Sequence, residues 1–373
     1  MTSQQLKNSI LQMAVQGLLV PQDPNDEPAS VLLQRIREEK QKLVKEGKIK
    51  KDKHSSVIFR GSDNLPYESR DNSTPVCIAE QIPFEIPESW EWARLGEVGN
   101  TNIGLTYKPQ DVSQTDGTIV LRSNNIQKDK ICYQNIIKVK SSVPERALIH
   151  KGDLLICARN GSRALVGKSA IVDKDGMAFG AFMAKFSSPF NKYIHVFLNS
   201  NYFRSQLEGV GTETINQLTQ ERLRSQLIPI PPLAEQRRIV AKLEELLPLV
   251  EEYGKAESTL TTLNATFPDA LKKSILQDAV QGKLVPQDPD DEPASVLLER
   301  IRREKKALDK TKKGKRNPVE SRIVRRDNSY YELRDGVERC IDEFLPFDIP
   351  ESWEWARLGD VGILSTGNTP SRQ

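Results

Sequence analysis

The sequence predicts an α/β chain of mixed α+β type, with a β-rich domain set between long coiled-coil-like helices. Three observations carry this. One long unit occurs twice. Between Trp90 and Phe186, short apolar runs alternate with Gly, Asn, Asp and Ser. From Leu233 onward, apolar residues recur every seven positions.

The repeat comes first. Leu6 to Gln41 and Leu271 to Lys306 differ at seven of 36 positions. Pro83 to Gly99 (PFEIPESWEWARLGEVG) and Pro346 to Gly362 (PFDIPESWEWARLGDVG) differ at two of 17. The offsets, 265 and 263 residues, are too long for a solenoid and indicate a duplicated unit.

Within the first copy, Leu6, Ile10, Met13, Ala14 and Gly17 lie at helical spacing, so a helix ending near Gly17 is predicted. Asp26 is placed to cap a second helix with Pro28 in its first turn, its apolar side formed by Val31, Leu32, Ile36 and Leu43. The basic run Lys45 to Lys53 ends it. Residues 54–82 are polar and read as a linker, and 310–345 as a more charged one. The runs 118–122, 136–139, 153–158, 164–172 and 179–186 read as strands, and 192–207 as a helix. Ile239, Leu246, Tyr253, Leu260 and Phe267 form one heptad seam, with Leu243, Val250 and Leu271 on the other. A helix of about 45 residues, roughly 65 Å, follows, with Pro248 and Pro268 expected to kink or break it.

Composition bounds the function. The 373 residues suffice for two or three domains, and no apolar run reaches the length of a membrane helix. Met1 to Leu11 lacks the pattern of a secretory signal. Cys77, Cys132, Cys157 and Cys340 are dispersed, without a CxxC pair, so the expected compartment is a reducing cytoplasm. Net charge is +3, and the window from Pro87 to Pro232 holds 18 Lys/Arg against 13 Asp/Glu. That excess suits phosphate contact and equally suits a solvated surface.

Catalytic signatures are missing. There is no GxxxxGK[ST] loop. Ile230-Pro231-Pro232-Leu233 lacks the Asn and the aromatic of an adenine-methylase motif. His54, His150 and His195 are isolated, and Cys157 lies in an apolar run and reads as core. Several loops instead carry side chains suited to DNA: Thr106 and Lys108; Arg122, Asn124 and Asn125; Arg159, Asn160, Ser162, Arg163 and Lys168; Asn216 and Gln217. Arg and Asn make bidentate contacts with purine edges, and cations position phosphates. Each segment, taken alone, is also what a solvated turn looks like.

The segments IPESWEWARLGEV (Ile86 to Val98), LRSNNI (Leu121 to Ile126), GDLLICARNGSRALVGKSAIV (Gly152 to Val172), IPIPPLAEQRRIVAKLEELL (Ile228 to Leu247) and LKKSILQDAVQGKLVPQ (Leu271 to Gln287) together resemble the specificity (S) subunit of type I restriction-modification systems. The resemblance implies a non-catalytic DNA-binding subunit whose target-recognition domains each read half of a split site, held apart by paired helices. Its implied partners are double-stranded DNA, modification (methyltransferase) subunits and a restriction subunit. No cofactor is expected in this chain; S-adenosylmethionine, ATP and Mg are expected in those partners. The implied plan is a helical conserved region at 1–53, a linker at 54–82, a target-recognition domain at 83–232, a helical spacer at 233–309, a charged linker at 310–345 and a truncated second recognition domain at 346–373. The loop Gly367 to Arg372 would parallel Gly104 to Pro109. One complete domain implies one half-site per chain, and self-association through 233–275 would then join two readers. Three other readings stay open at this point: a fused enzyme, a structural coiled-coil adaptor, and a silent specificity-gene fragment without DNA-reading activity.

Overall fold

The computed structural model describes residues 1–47, 54–113, 115–208, 217–311 and 321–362. The chain divides into two compact units, Met1–Ser258 and Thr259–Gln373.

In the first unit two sheets stack. One has five strands in the order Leu148–Ile149, Met177–Phe179, Thr118–Leu121, Ile137–Val139 and Val112–Ser113. The other has six, in the order Asn100–Ile103, Met183–Ser187, Leu154–Cys157, Ser169–Ile171, Lys130–Ile131 and Ile126–Gln127. Strand Leu154–Cys157 explains its unbroken apolar sequence. Leu155 and Cys157 join a core with Leu121, Ile149 and Phe179, whereas Leu154 and Ile156 face a larger core of helices. A strand buried on both faces does not alternate. At the base, Glu91–Arg94 pairs antiparallel with Leu227–Ile230, so the chain enters and leaves the double sheet side by side.

The helical core draws on both ends of this unit. Helix Ser3–Val15 starts on a Thr2 capping box, and Gly17 behind it has φ +74°. Its Leu11, Ala14 and Val15 pack with Leu32 and Leu33 of helix Ala29–Lys45, with Tyr193, Ile194 and Phe197, and with Ile239 and Leu243. Asp26 does not cap the second helix, whose cap position is Pro28 with no side-chain bond. Its carboxylate instead accepts from Arg238 Nη2 at 2.6 Å.

Several elements differ from expectation. Residues 54–82 are not an unstructured linker: Ser56–Arg60, Pro66–Arg70 and Val76–Cys77 form an antiparallel meander. The run 164–172 yields a strand only over Ser169–Ile171, because Arg163–Leu165 is a 3₁₀ turn and Gly167 has φ +84°. The helix over 192–207 is two, Asn191–Leu198 and Asn201–Glu208, separated where Ser200 Oγ donates to Phe197 O at 2.7 Å. The long helix, Leu233–Val280, is neither broken at Pro248 nor at Pro268. Each proline removes one backbone bond, but both lie in exposed stretches where the freed carbonyl is open to water.

The second unit carries helix Ala294–Thr311 and the meander Ser321–Arg326, Ser329–Arg334 and Val337–Cys340, again where a charged linker was predicted. It repeats the Ser–Glu–Arg lock of the first meander. In the first unit Ser56 Oγ donates to Glu68 Oε1 at 2.7 Å, and Arg94 Nε and Nη2 reach the two Glu68 oxygens at 2.9 and 2.7 Å. In the second, Ser321 Oγ donates to Glu332 Oε1 at 2.6 Å, and Arg357 repeats the fork at 2.9 and 2.6 Å. The loop Gly367 to Arg372 lies outside the described residues.

Candidate nucleic-acid interface

The predicted loops of the first unit meet at one edge of the double sheet. Their hub is Gly180-Ala181-Phe182, which links Met177–Phe179 of one sheet to Met183–Ser187 of the other. Leu105 N donates to Phe179 O at 2.7 Å, and Gly180 N to Leu121 O at 2.9 Å. Ala158 N and Arg159 N both donate to Phe182 O, at 3.0 and 2.9 Å. Leu218 N donates to Ala158 O at 2.7 Å, and Gln217 bridges Arg159. Backbone bonds therefore hold the loops at 104–108, 122–125, 159–168 and 217 around one segment. Gly104 is required there, since a Cβ would lie 2.3 Å from the carbonyl oxygens of Phe179 and Gly180.

On this scaffold Thr106, Lys108, Asn124, Arg159, Ser162, Arg163 and Gln217 are exposed. The Arg159 guanidinium lies 5.4 Å from the centroid of the Phe182 ring. Stacking of this kind orients a guanidinium without consuming its donors. Asn160 is half-buried and organises its loop: Nδ2 donates to Ser123 Oγ at 3.3 Å and Oδ1 accepts from Ser162 N at 3.0 Å. Arg122 and Lys168 are also half-buried and tied back, Arg122 Nη2 to Asn135 O at 3.1 Å and Lys168 Nζ to Ile126 O at 3.1 Å. These two shape the loops more than they reach outward.

Asn125 does not belong with the exposed set. It is fully buried; its Oδ1 accepts from Arg122 N at 3.0 Å, and its Nδ2 donates to the carbonyls of Cys132 and Gln134 at 2.9 and 3.1 Å. Every bond of its amide except one lone pair is used internally. Asn216 lies outside the described residues.

Among the described residues, Cys157 and His195 are not arranged for nucleophilic or acid–base work. The Cys157 thiol is buried, and burial pushes its pKa up, away from the reactive thiolate. His195 lies among core residues, and burial lowers its pKa to about 4, so it is neutral near pH 7. Among the described residues no group of three His, Cys, Asp or Glu could hold a metal ion, and no helix is long and apolar enough to cross a membrane.

Residues 87–255 match the type I restriction modification DNA specificity domain. The chain is 32% identical to the EcoAI type I restriction enzyme specificity subunit of Escherichia coli, over 95% of this chain and 62% of that protein. Residues 87–255 are thus a specificity domain of the type I restriction kind. The EcoEI specificity subunit of Escherichia coli is likewise 32% identical, over 95% of this chain and 61% of its own length. The chain thus spans about three fifths of these relatives. Among solved structures, the HsdS subunit of Thermoanaerobacter tengcongensis aligns at 22% identity and a TM-score of 0.39, over 54% of this chain and 47% of that one.

One member of the specificity-domain edge was missed by sequence reasoning. Phe182 is 62% exposed, although it sits in the run Phe179 to Phe186 that reads as one strand. The run is two short strands in different sheets, and Phe182 falls in the crossing between them. The signal was the small pair Gly180-Ala181 interrupting the apolar run.

Proposed function

We propose that this chain is the non-catalytic DNA-reading subunit of a cytoplasmic type I restriction-modification complex, with the loop edge around Phe182 reading one half of a split duplex site. The observation that carries this is the convergence of Lys108, Asn124, Arg159, Arg163 and Gln217 on one edge, held by backbone bonds to a single segment. Loops fixed in this way place cations for phosphates and amides for base edges with little ordering cost on binding. Methyl transfer and cleavage fall to modification and restriction subunits, which bring S-adenosylmethionine, ATP and Mg. Methylome sequencing of cells holding the modification subunit, with and without this chain, tests the reading. A methylated motif that depends on the chain is expected. Methylation by the purified chain alone, or no chain-dependent motif, would overturn it.

Two chains are further proposed to associate through the helices over 233–275. Leu260, Leu263, Phe267, Leu271 and Ile275 support this, being between 44 and 61% exposed on the long helix. Such a stripe is poorly solvated in an isolated chain. Sedimentation should show a dimer at micromolar concentration; a monomer with and without DNA would refute it.

A further inference from the structure

The two repeats serve as controls for each other, and one of the places where they diverge in charge is a cleft. In the second unit, helix Ala294–Thr311 and the hairpin Ser321–Arg334 enclose a cleft of about 460 Å³. Its charged lining is Arg302, Arg303, Lys306 and Arg322, against Glu299 and Asp335. The first unit holds Arg37, Glu38, Gln41 and Val57 at the four cationic positions, with Gln34 and Asp71 at the acidic ones. Four cations against two acids thus stand where the first repeat has one cation against two acids.

Part of that divergence falls here. Of the seven differences between Leu6–Gln41 and Leu271–Lys306, three are Gln34 to Glu299, Glu38 to Arg303 and Gln41 to Lys306. A fourth change, Val57 to Arg322, comes from the opposite wall. The fold beneath is unchanged, as the matching Ser–Glu–Arg locks show. Neither repeat needs these charges to form its meander.

We infer that this cleft is a second, sequence-independent binding site for the phosphate backbone of duplex DNA. Lys306 stands four residues after Arg302 and three after Arg303 on the helix, so it neighbours each of them on the surface, and all three line the cleft. Arg322 faces them from the hairpin. Arg302 and Arg322 have no acid or hydrogen-bond partner among the described residues, and Arg303 meets Glu299 only at 3.7 Å with its side chain 84% exposed. Guanidinium forks in a fixed array match phosphate oxygens, and they carry no base information. The site would hold the duplex through its backbone and strengthen binding to any sequence. The inference rests on the proposed function only for the identity of the polyanion.

The test is fluorescence anisotropy of the full chain with a long random-sequence duplex, across a salt series. The variant Glu299→Gln/Arg303→Glu/Lys306→Gln/Arg322→Val restores the residues of the first repeat. Its salt slope, log Kd against log salt, should be shallower by about 3, with at least roughly tenfold weaker binding at low salt. If that variant misfolds by circular dichroism, Arg302→Gln/Arg322→Gln should flatten the slope by about 2. An unchanged slope in a folded variant, with the wild-type chain binding duplex in a salt-dependent way, would overturn the cleft and leave the proposed function standing. No duplex binding by the wild-type chain would overturn both. Loss of modification-subunit binding with an unchanged duplex slope would assign the cleft to a protein partner and refute the inference.

Discussion

Replacing Arg94 by Met tests how the meander is fastened to the specificity domain. The Arg94 guanidinium binds both Glu68 oxygens, the Ser225 carbonyl at 2.8 Å and Gln81 Oε1 at 2.9 Å. The side chains of Glu68 and Arg94 are only 3 and 10% exposed. Burial alone would raise the Glu68 pKa, but hydrogen bonds from Arg94, Arg70 and Ser56 outweigh it and bring it down from 4.5 to about 2. That difference corresponds to about 3 kcal/mol. Removing one partner of such a pair strands the other charge, at about 3–5 kcal/mol. Local opening of Ser56–Cys77 should therefore become at least a hundredfold more frequent at pH 7, read by amide hydrogen exchange with mass spectrometry. The sign with pH is fixed. A carboxyl depressed on folding stabilises fully above its unfolded pKa near 4.5 and loses that contribution as pH falls through about 2. The wild-type meander should loosen across that acid window, and the variant should show a shallower fall. Arg357→Met supplies the comparison, because Arg357 makes the same fork to Glu332 with its side chain 56% exposed. Water and salt screen that pair, so its loss should cost about 1 kcal/mol or less. Equal protection changes at the two sites, or a change below tenfold at the first, would refute the argument from burial.

Two further outcomes follow from the site. Asn125→Ala should destabilise the first unit by about 1–3 kcal/mol by leaving the Cys132 and Gln134 carbonyls without their side-chain donor, while the methylated motif stays the same; a changed motif with unchanged thermal stability would return Asn125 to the reading surface. Arg159→Ala should either relax the motif at one position, a loss of about 1–3 kcal/mol in discrimination, or flatten the salt slope by about 1. Duplex binding with neither change would remove Arg159 from the interface.

Much of the specificity domain was legible because its strands bury one or both faces. Leu154–Cys157 is apolar throughout because two cores use it, and that run is visible in the sequence. The first meander was not visible. Its strands SVIFR and PYESR bury chiefly Ser56, Ile58 and Glu68, and a buried glutamate paired with an arginine 26 residues away reads as a solvent residue. Asn125 failed for a related reason. RSNNI offers four adjacent polar side chains, and only the 3₁₀ turn Ser123–Asn125 decides which one points inward. Composition singled out loops that the fold brings to one edge; hydrogen bonding across the fold decides which side chains within them are exposed.

The duplication shows how far local sequence determines burial. Leu11, Val15 and Leu32 are between 0 and 4% exposed, yet their identical counterparts Leu276, Val280 and Leu297 are 55, 52 and 44% exposed. The helix-end glycines Gly17 and Gly282 keep the same backbone, and each closes against a proline, Pro87 or Pro350. The repeat therefore dictates its own shape but not its environment. In the first unit that environment comes from Tyr193, Ile194 and Phe197 and from the start of the long helix, where Glu235 accepts from Trp90 Nε1 at 2.8 Å and from Gln22 Nε2 at 2.6 Å. Gln287 and Trp353 occupy the positions of Gln22 and Trp90 in the second repeat, while the acid they would bind is a feature of the helix that follows a recognition domain. The apolar face and its polar lock are thus two halves of one design, and a repeat supplies only the receiving half.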